Sequence, residues 1–131
     1  MEIYEKHFKE WMGVKEKLHN RVRVPNITVG EIWWCGIGEN VGVEINGKSM
    51  RFTRPVLILK KYGRFGFLGI PLTSRVKIGS WFVNFEFLGK RQYAALSQAR
   101  FISTSRLYEK IGQVPNSDLS LVKSALLKLI G

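Results

Sequence analysis

Two short stretches carry the residues best suited to chemistry. In Arg54-Pro55-Val56-Leu57-Ile58-Leu59 an arginine precedes an apolar, β-branched run, and in Gly69-Ile70-Pro71-Leu72-Thr73-Ser74 a hydroxyl pair closes a similar one. A guanidinium is a permanent, forked cation, and hydroxyls both donate and accept hydrogen bonds. Together they suit a centre where negative charge develops on oxygen. Glu44 can orient the guanidinium fork, or accept a proton if its pKa is raised. The surroundings are one-sided. Between Glu44 and Glu86 there is no acid, but there are eight basic residues: Lys48, Arg51, Arg54, Lys60, Lys61, Arg64, Arg75 and Lys77. Within a chain of 131 residues and formal charge +11, such a window focuses positive potential and favours a polyanion such as nucleic acid.

Other chemistries lack material. Both histidines, His7 and His19, fall in the first 20 residues, so no imidazole is placed to serve a Ser or Cys nucleophile, and a zinc site of usual ligand count is not available. No cofactor is expected, and the chemistry is read as metal-independent or reliant on a loosely held ion. Gly36-Ile37-Gly38 has no third glycine and no following helix to make a dinucleotide loop. The single Cys35 cannot form an internal disulfide and reads as a small buried hydrophobe. No stretch has the length of a membrane span, so the expectation is a soluble, cytoplasmic protein. What fits is RNA cleavage by attack of the substrate's own 2′-hydroxyl. That step requires a fixed cation, hydrogen-bond donors and a grip on the backbone.

The elements that position these groups follow from periodicity. Tyr4, Phe8, Trp11 and Leu18 repeat at helical spacing, predicting an amphipathic helix over Ile3 to Leu18, and residues 1–28 read as that helix plus a basic connector ending near Pro25. From residue 29 onward the grammar is that of strands, predicted at 30–37, 53–61, 64–72, 80–88 and 91–97. Tyr62-Gly63 and Gly89-Lys90 mark tight antiparallel hairpins. In the fourth strand Trp81, Val83, Phe85 and Phe87 share a face opposite Asn84 and Glu86. Ser103 or Thr104 is placed to cap a short helix through Ile111, ended by Gly112. Ser117 is placed to cap a final helix whose stripe is Leu119, Val122, Leu126 and Leu129, widened by Leu121, Ala125 and Ile130. The fold class is therefore mainly β, a small, strongly bent antiparallel sheet with flanking α-helices.

Six blocks in order, Gly30-Glu31-Ile32-Trp33-Trp34, Val41-Gly42-Val43-Glu44, Arg54-Pro55-Val56-Leu57-Ile58, Pro71-Leu72-Thr73-Ser74, Leu96-Ser97-Gln98-Ala99-Arg100 and Ser105-Arg106-Leu107 with Lys110-Ile111-Gly112, resemble the MazF/PemK family of toxins. The resemblance spans about residues 29–131. It implies an SH3-like small barrel built from a strongly twisted antiparallel sheet with a C-terminal helix, a homodimer, and metal-independent endoribonuclease activity on single-stranded mRNA. It also implies the toxin role in a type II toxin-antitoxin pair. By the same resemblance Arg54 and Thr73 form the catalytic pair, Glu44 lies in the loop approaching RNA, and Gln98 lies near the substrate groove. Val43 and Ile45 stand where many relatives have polar residues, and the segment 46–53 is longer than in the shortest members, so base preference is this chain's own. The 1–28 segment falls outside the family pattern.

The basic residues Lys48, Arg51, Arg75 and Lys77 are candidates for RNA contact, and Phe52, between Arg51 and Arg54, is the candidate for an exposed stacking ring. Most of the other aromatics, Trp33, Trp34, Tyr62, Phe65, Phe67 and Trp81, are expected in the core. The predicted partners are single-stranded RNA and an antitoxin with an acidic segment. Two rival readings share the scaffold: a catalytically inert nucleic-acid-binding barrel, and a protein-binding toxin that poisons a topoisomerase.

Overall fold

The computed structural model of the chain describes residues 24–36 and 53–131. The predicted N-terminal helix and the candidates Glu44, Lys48, Arg51 and Phe52 lie outside the described residues. Seven strands follow one another as β1 (Glu31–Gly36), β2 (Thr53–Tyr62), β3 (Gly66–Thr73), β4 (Phe82–Phe87), β5 (Lys90–Ala95), β6 (Arg100–Ser103) and β7 (Leu107–Gln113), and the helix α1 spans Asn116–Ile130. The five strands read from the sequence stand where alternation placed them.

All pairs are antiparallel, in the order β4-β5-β3-β2-β1-β7, with β6 paired to β3 off this path. The sheet is open rather than closed. Its bend originates in β3, which pairs with β6 over Gly66–Gly69 and with β5 at Leu72 and Thr73 along the same edge. Pro71, which has no N–H to donate, sits between the two partners and permits the exchange. A register shift between Ile58 and Lys60 and two more in the β1–β7 ladder add twist.

The bent sheet divides the core. One cluster gathers Ile32, Leu57, Leu59, Ile70, Leu72, Phe85 and Val122, and α1 lays Leu119, Ala125, Leu126 and Leu129 against it. The other gathers Trp33, Cys35, Val56, Ile58, Phe67, Ile102 and Leu107. Phe85 is buried and Val83 and Phe87 are partly so, while Asn84 and Glu86 are exposed, as their alternation requires. Trp81, just before β4, is exposed instead. Among the described residues no helix is long and apolar enough to cross a membrane.

Four local expectations are corrected. The segment from Ser103 to Ile111 is not a helix: a single 3-10 turn, Thr104–Arg106, leads into β7. Ser103 does cap that turn, accepting from the Ser105 N–H at 3.3 Å, but the outer edge of β1 is paired by continuing as a strand. Gly112 is not a helix terminus either. It pairs with Ile32, and a Cβ there would come within 2.7 Å of the Phe87 ring, so its role is close approach. In α1, Ser117 lies inside the first turn, whose N–H groups at Asp118 and Leu119 bond the Pro115 carbonyl, and no side chain caps the helix. Leu121 and Ile130 face solvent, because the stripe of Leu119, Val122, Leu126 and Leu129, widened by Ala125, spans the contact.

Candidate functional site

Arg54 is the second residue of β2, and Thr73 is the last residue of β3. The two strands pair as Leu57 with Ile70 and Val56 with Pro71, and continuing that register by two residues brings Arg54 and Thr73 opposite each other where the ladder ends. Pro55 helps hold Arg54 extended, since a residue before proline avoids the helical region. The exposed guanidinium and the half-buried hydroxyl both line a groove of about 810 Å³.

Six of the ten candidate residues line this one groove: Arg54, Thr73, Ser74, Arg75, Lys77 and Gln98. The other four are those outside the described residues. Gln98 ends the 3-10 turn Leu96–Gln98, anchored by buried Leu96, and also borders a smaller hollow of about 280 Å³ lined by Ser97 and Arg100. With Lys90, the main groove has four cationic side chains, Arg54, Arg75, Lys77 and Lys90, and no carboxylate among its described lining residues. That imbalance concentrates positive potential in a concave site with apolar walls.

Thr73 makes one local contact. The Arg75 N–H donates to its Oγ1 at 3.1 Å, a turn that fixes the hydroxyl as the chain leaves β3. A hydroxyl has two acceptor lone pairs and one proton, so this bond leaves the proton available to donate. The same turn directs Arg75 toward the groove. The cluster can therefore present a forked cation and oriented hydroxyl donors to an oxyanion.

Several lining residues were missed by sequence reasoning. Trp34, Phe82 and Phe87 give the groove flat apolar walls, and Lys90 and Gln92 add polar groups. Trp34 stood inside a quoted motif and Phe87 inside a read strand. The signal was present, but alternation alone does not say which core-facing ring ends at a groove. Leu88, also on the rim, has φ 52 and with Gly89 (φ 78) forms the two-residue turn between β4 and β5. Both positive φ values match a type I′ hairpin turn, the geometry that follows the sheet's twist.

Cys35 is inert: it is buried, and burial pushes its thiol pKa up to about 12 against the lowering influence of Arg106 and Arg100. Glu31, not singled out by the sequence, is a buried carboxylate. Its Oε1 accepts from Trp33 Nε1 and from the Thr28 N–H, each at 2.9 Å, and its Oε2 meets Lys110 Nζ at 3.1 Å. Burial raises its pKa, but the hydrogen bonds and the Lys110 charge outweigh this and hold it below the usual value. It ties the start of β1 to β7 behind the groove.

The comparisons agree with this architecture. A solved MazF from Deinococcus radiodurans is similar at 26% identity and a TM-score of 0.61, over 83% of this chain and 98% of that one. An endoribonuclease in complex with its cognate antitoxin, from a Mycobacterial species, is similar in fold at 18% identity and a TM-score of 0.60, over 82% of this chain and 95% of that one. The MazE-MazF complex of Deinococcus radiodurans is similar in fold at 23% identity and a TM-score of 0.59, over 83% of this chain and 97% of that one. No curated protein matches the chain. Residues 28–130 match the model of the PemK-like, MazF-like toxins, so the chain belongs to that family of toxins of type II toxin-antitoxin systems.

Proposed function

We propose that this toxin is an endoribonuclease that cleaves single-stranded mRNA without a metal ion. The observation that carries the reading is that Arg54 and Thr73 line the same cationic groove. A ribose 2′-oxygen attacks the adjacent phosphorus, forming the O2′–P bond and breaking the P–O5′ bond. The products are a 2′,3′-cyclic phosphate and a 5′-hydroxyl. The 2′-hydroxyl proton passes to a base, for which Glu44 is the candidate, and the leaving O5′ takes up a proton from water. Arg54 holds the nonbridging oxygens as they gain charge, and Thr73 and Ser74 donate hydrogen bonds to them. Gln98, Arg75 and Lys77 hold the strand in line, with Lys48, Arg51 and Phe52 contributing from the preceding segment.

The unit at 29–131 carries this activity as a cytoplasmic homodimer, with 1–28 as an appendage. Its antitoxin covers the groove with an acidic segment, a pairing supported by the absence of carboxylates among the described lining residues and by the antitoxin complexes among the similar structures. The test is to incubate the protein with a long RNA in excess chelator and map the ends. New 5′-hydroxyl and 2′,3′-cyclic phosphate termini are expected. Binding without cleavage would leave a nucleic-acid-binding module, and neither binding nor cleavage would turn attention to a protein target.

A further inference from the structure

At the opposite end of β2 from Arg54, the molecule carries rings that the core does not use. Only Trp33 and Phe67 of the aromatics expected inside are buried, whereas Tyr62, Phe65 and Phe101 are 48%, 49% and 61% exposed. Tyr62 and Phe101 meet with ring centroids 6.0 Å apart and planes tilted by 34°. Gly66, the cross-strand partner of Tyr62, makes this possible, because a Cβ there would collide with the Phe101 ring. Missing side-chain volume on β3 is thus filled by a ring from β6 that faces water.

Cations flank the rings. Lys60 Nζ sits 5.6 Å from the Tyr62 centroid, and the Arg64 guanidinium carbon 5.7 Å from that of Phe65. Lys61 and Arg64 are exposed, and no acid occurs in the sequence from Thr53 to Phe85. Flat exposed rings interleaved with cations suit unpaired bases joined by phosphates, because every base offers a π-face for stacking. A duplex hides those faces, so the matching ligand is single-stranded. Tyr62 lies eight residue steps along the strand from Arg54, about 26 Å at the usual rise.

We propose that the Tyr62–Phe101 platform is a second binding site for single-stranded RNA, which holds a tract of the substrate outside the cleavage groove. Tyr62 and Phe101 stack on bases, and Lys60, Lys61 and Arg64 meet phosphates. This rests on the RNA reading of the groove. It makes binding length-dependent, because only a long strand reaches both places.

The test measures anisotropy of labelled 2′-O-methyl oligouridylates, which cannot undergo 2′-hydroxyl attack, at lengths of about 4 and about 16 nucleotides. Wild type is expected to bind the longer strand at least about tenfold more tightly, and the double substitution Tyr62→Ser with Phe101→Ser to lose that preference. A 4-thiouridine version of the long strand should cross-link to Tyr62 or Phe101. If the double substitution unfolds the protein by circular dichroism, Lys60→Glu with Arg64→Glu is read in its place, with the same expectation. Undiminished length preference in the folded variants overturns the proposal. So does a dimer-to-monomer change in sedimentation, which would make the platform a contact between copies. If wild type cleaves RNA while the variants bind like wild type, the platform alone fails; if wild type binds neither strand, the groove reading fails with it.

Discussion

Thr73 shows how a local contact and a proposed chemical role can share one side chain. Its Oγ1 accepts the Arg75 N–H, the ordinary fate of a threonine at a strand end, yet the bond orients the hydroxyl rather than consuming its proton. Thr73→Val should therefore lower the cleavage rate by about 100- to 1,000-fold, the usual effect of deleting one oxyanion donor, whereas Thr73→Ser should keep most of it. Single-turnover rates on one RNA decide this, and equal rates for the Val and Ser variants would remove Thr73 from the chemistry. Arg54, Thr73, Ser74, Arg75, Lys77 and Gln98 were singled out by the acid-free basic window and the family-like motifs, and all six line the groove. Glu31 was not singled out, because a lone acid in Glu31-Ile32-Trp33-Trp34 looks like the exposed half of an alternation. Its burial depends on Thr28, Trp33 and Lys110 converging, which only the fold arranges.

At the scale of elements, the strands with clear alternation or glycine punctuation were readable, and β7 was not. Its Ser103 cap and following polar run satisfy local helix rules, but pairing with β1 and the fit of Gly112 under Phe87 override them. The tie that fastens β7 can be measured. Glu31→Gln should destabilise the fold by about 1–2 kcal/mol at pH 7, because a charge-assisted contact to Lys110 becomes a neutral one. The Glu31 pKa is depressed in the folded state. Its ionic contribution is thus present above the unfolded value near 4.5 and is lost as pH falls through the lower folded value. Urea melts of both proteins from neutral to acid pH should converge at the acid end, and a gap that widens there would contradict the assignment. The β4–β5 turn offers a second check. Leu88 holds a positive φ that bulky side chains resist, so Leu88→Asn should stabilise the hairpin by about 1 kcal/mol in the same melts. No gain would mean that rim contacts made by the leucine offset its strain.

For the whole molecule, charge and shape point the same way. The excess of basic residues and its concentration in one window were visible in the sequence, but the shape of the groove was not, because β3 exchanges its neighbour at Pro71 and thereby brings the ends of β2, β3 and β5 round one hollow. If the four described groove cations meet phosphates, the logarithm of the binding constant should fall against the logarithm of salt with a slope at least as steep as about −3, and Lys77→Ala should reduce that slope by about 0.7. Anisotropy titrations across salt concentrations with an uncleavable RNA read both numbers, and a slope near zero would rule out a phosphate-binding groove.

In the proposed mechanism the guanidinium of Arg54 acts on the scissile phosphate from within this groove. The most direct test is the single-turnover cleavage of one defined RNA by wild type and by Arg54→Ala, in chelator, with circular dichroism confirming the same fold. Wild type should give 5′-hydroxyl and 2′,3′-cyclic phosphate ends, and the variant should lose at least about 100-fold in rate. Cleavage by Arg54→Ala at the wild-type rate, with the same ends, would contradict that mechanism.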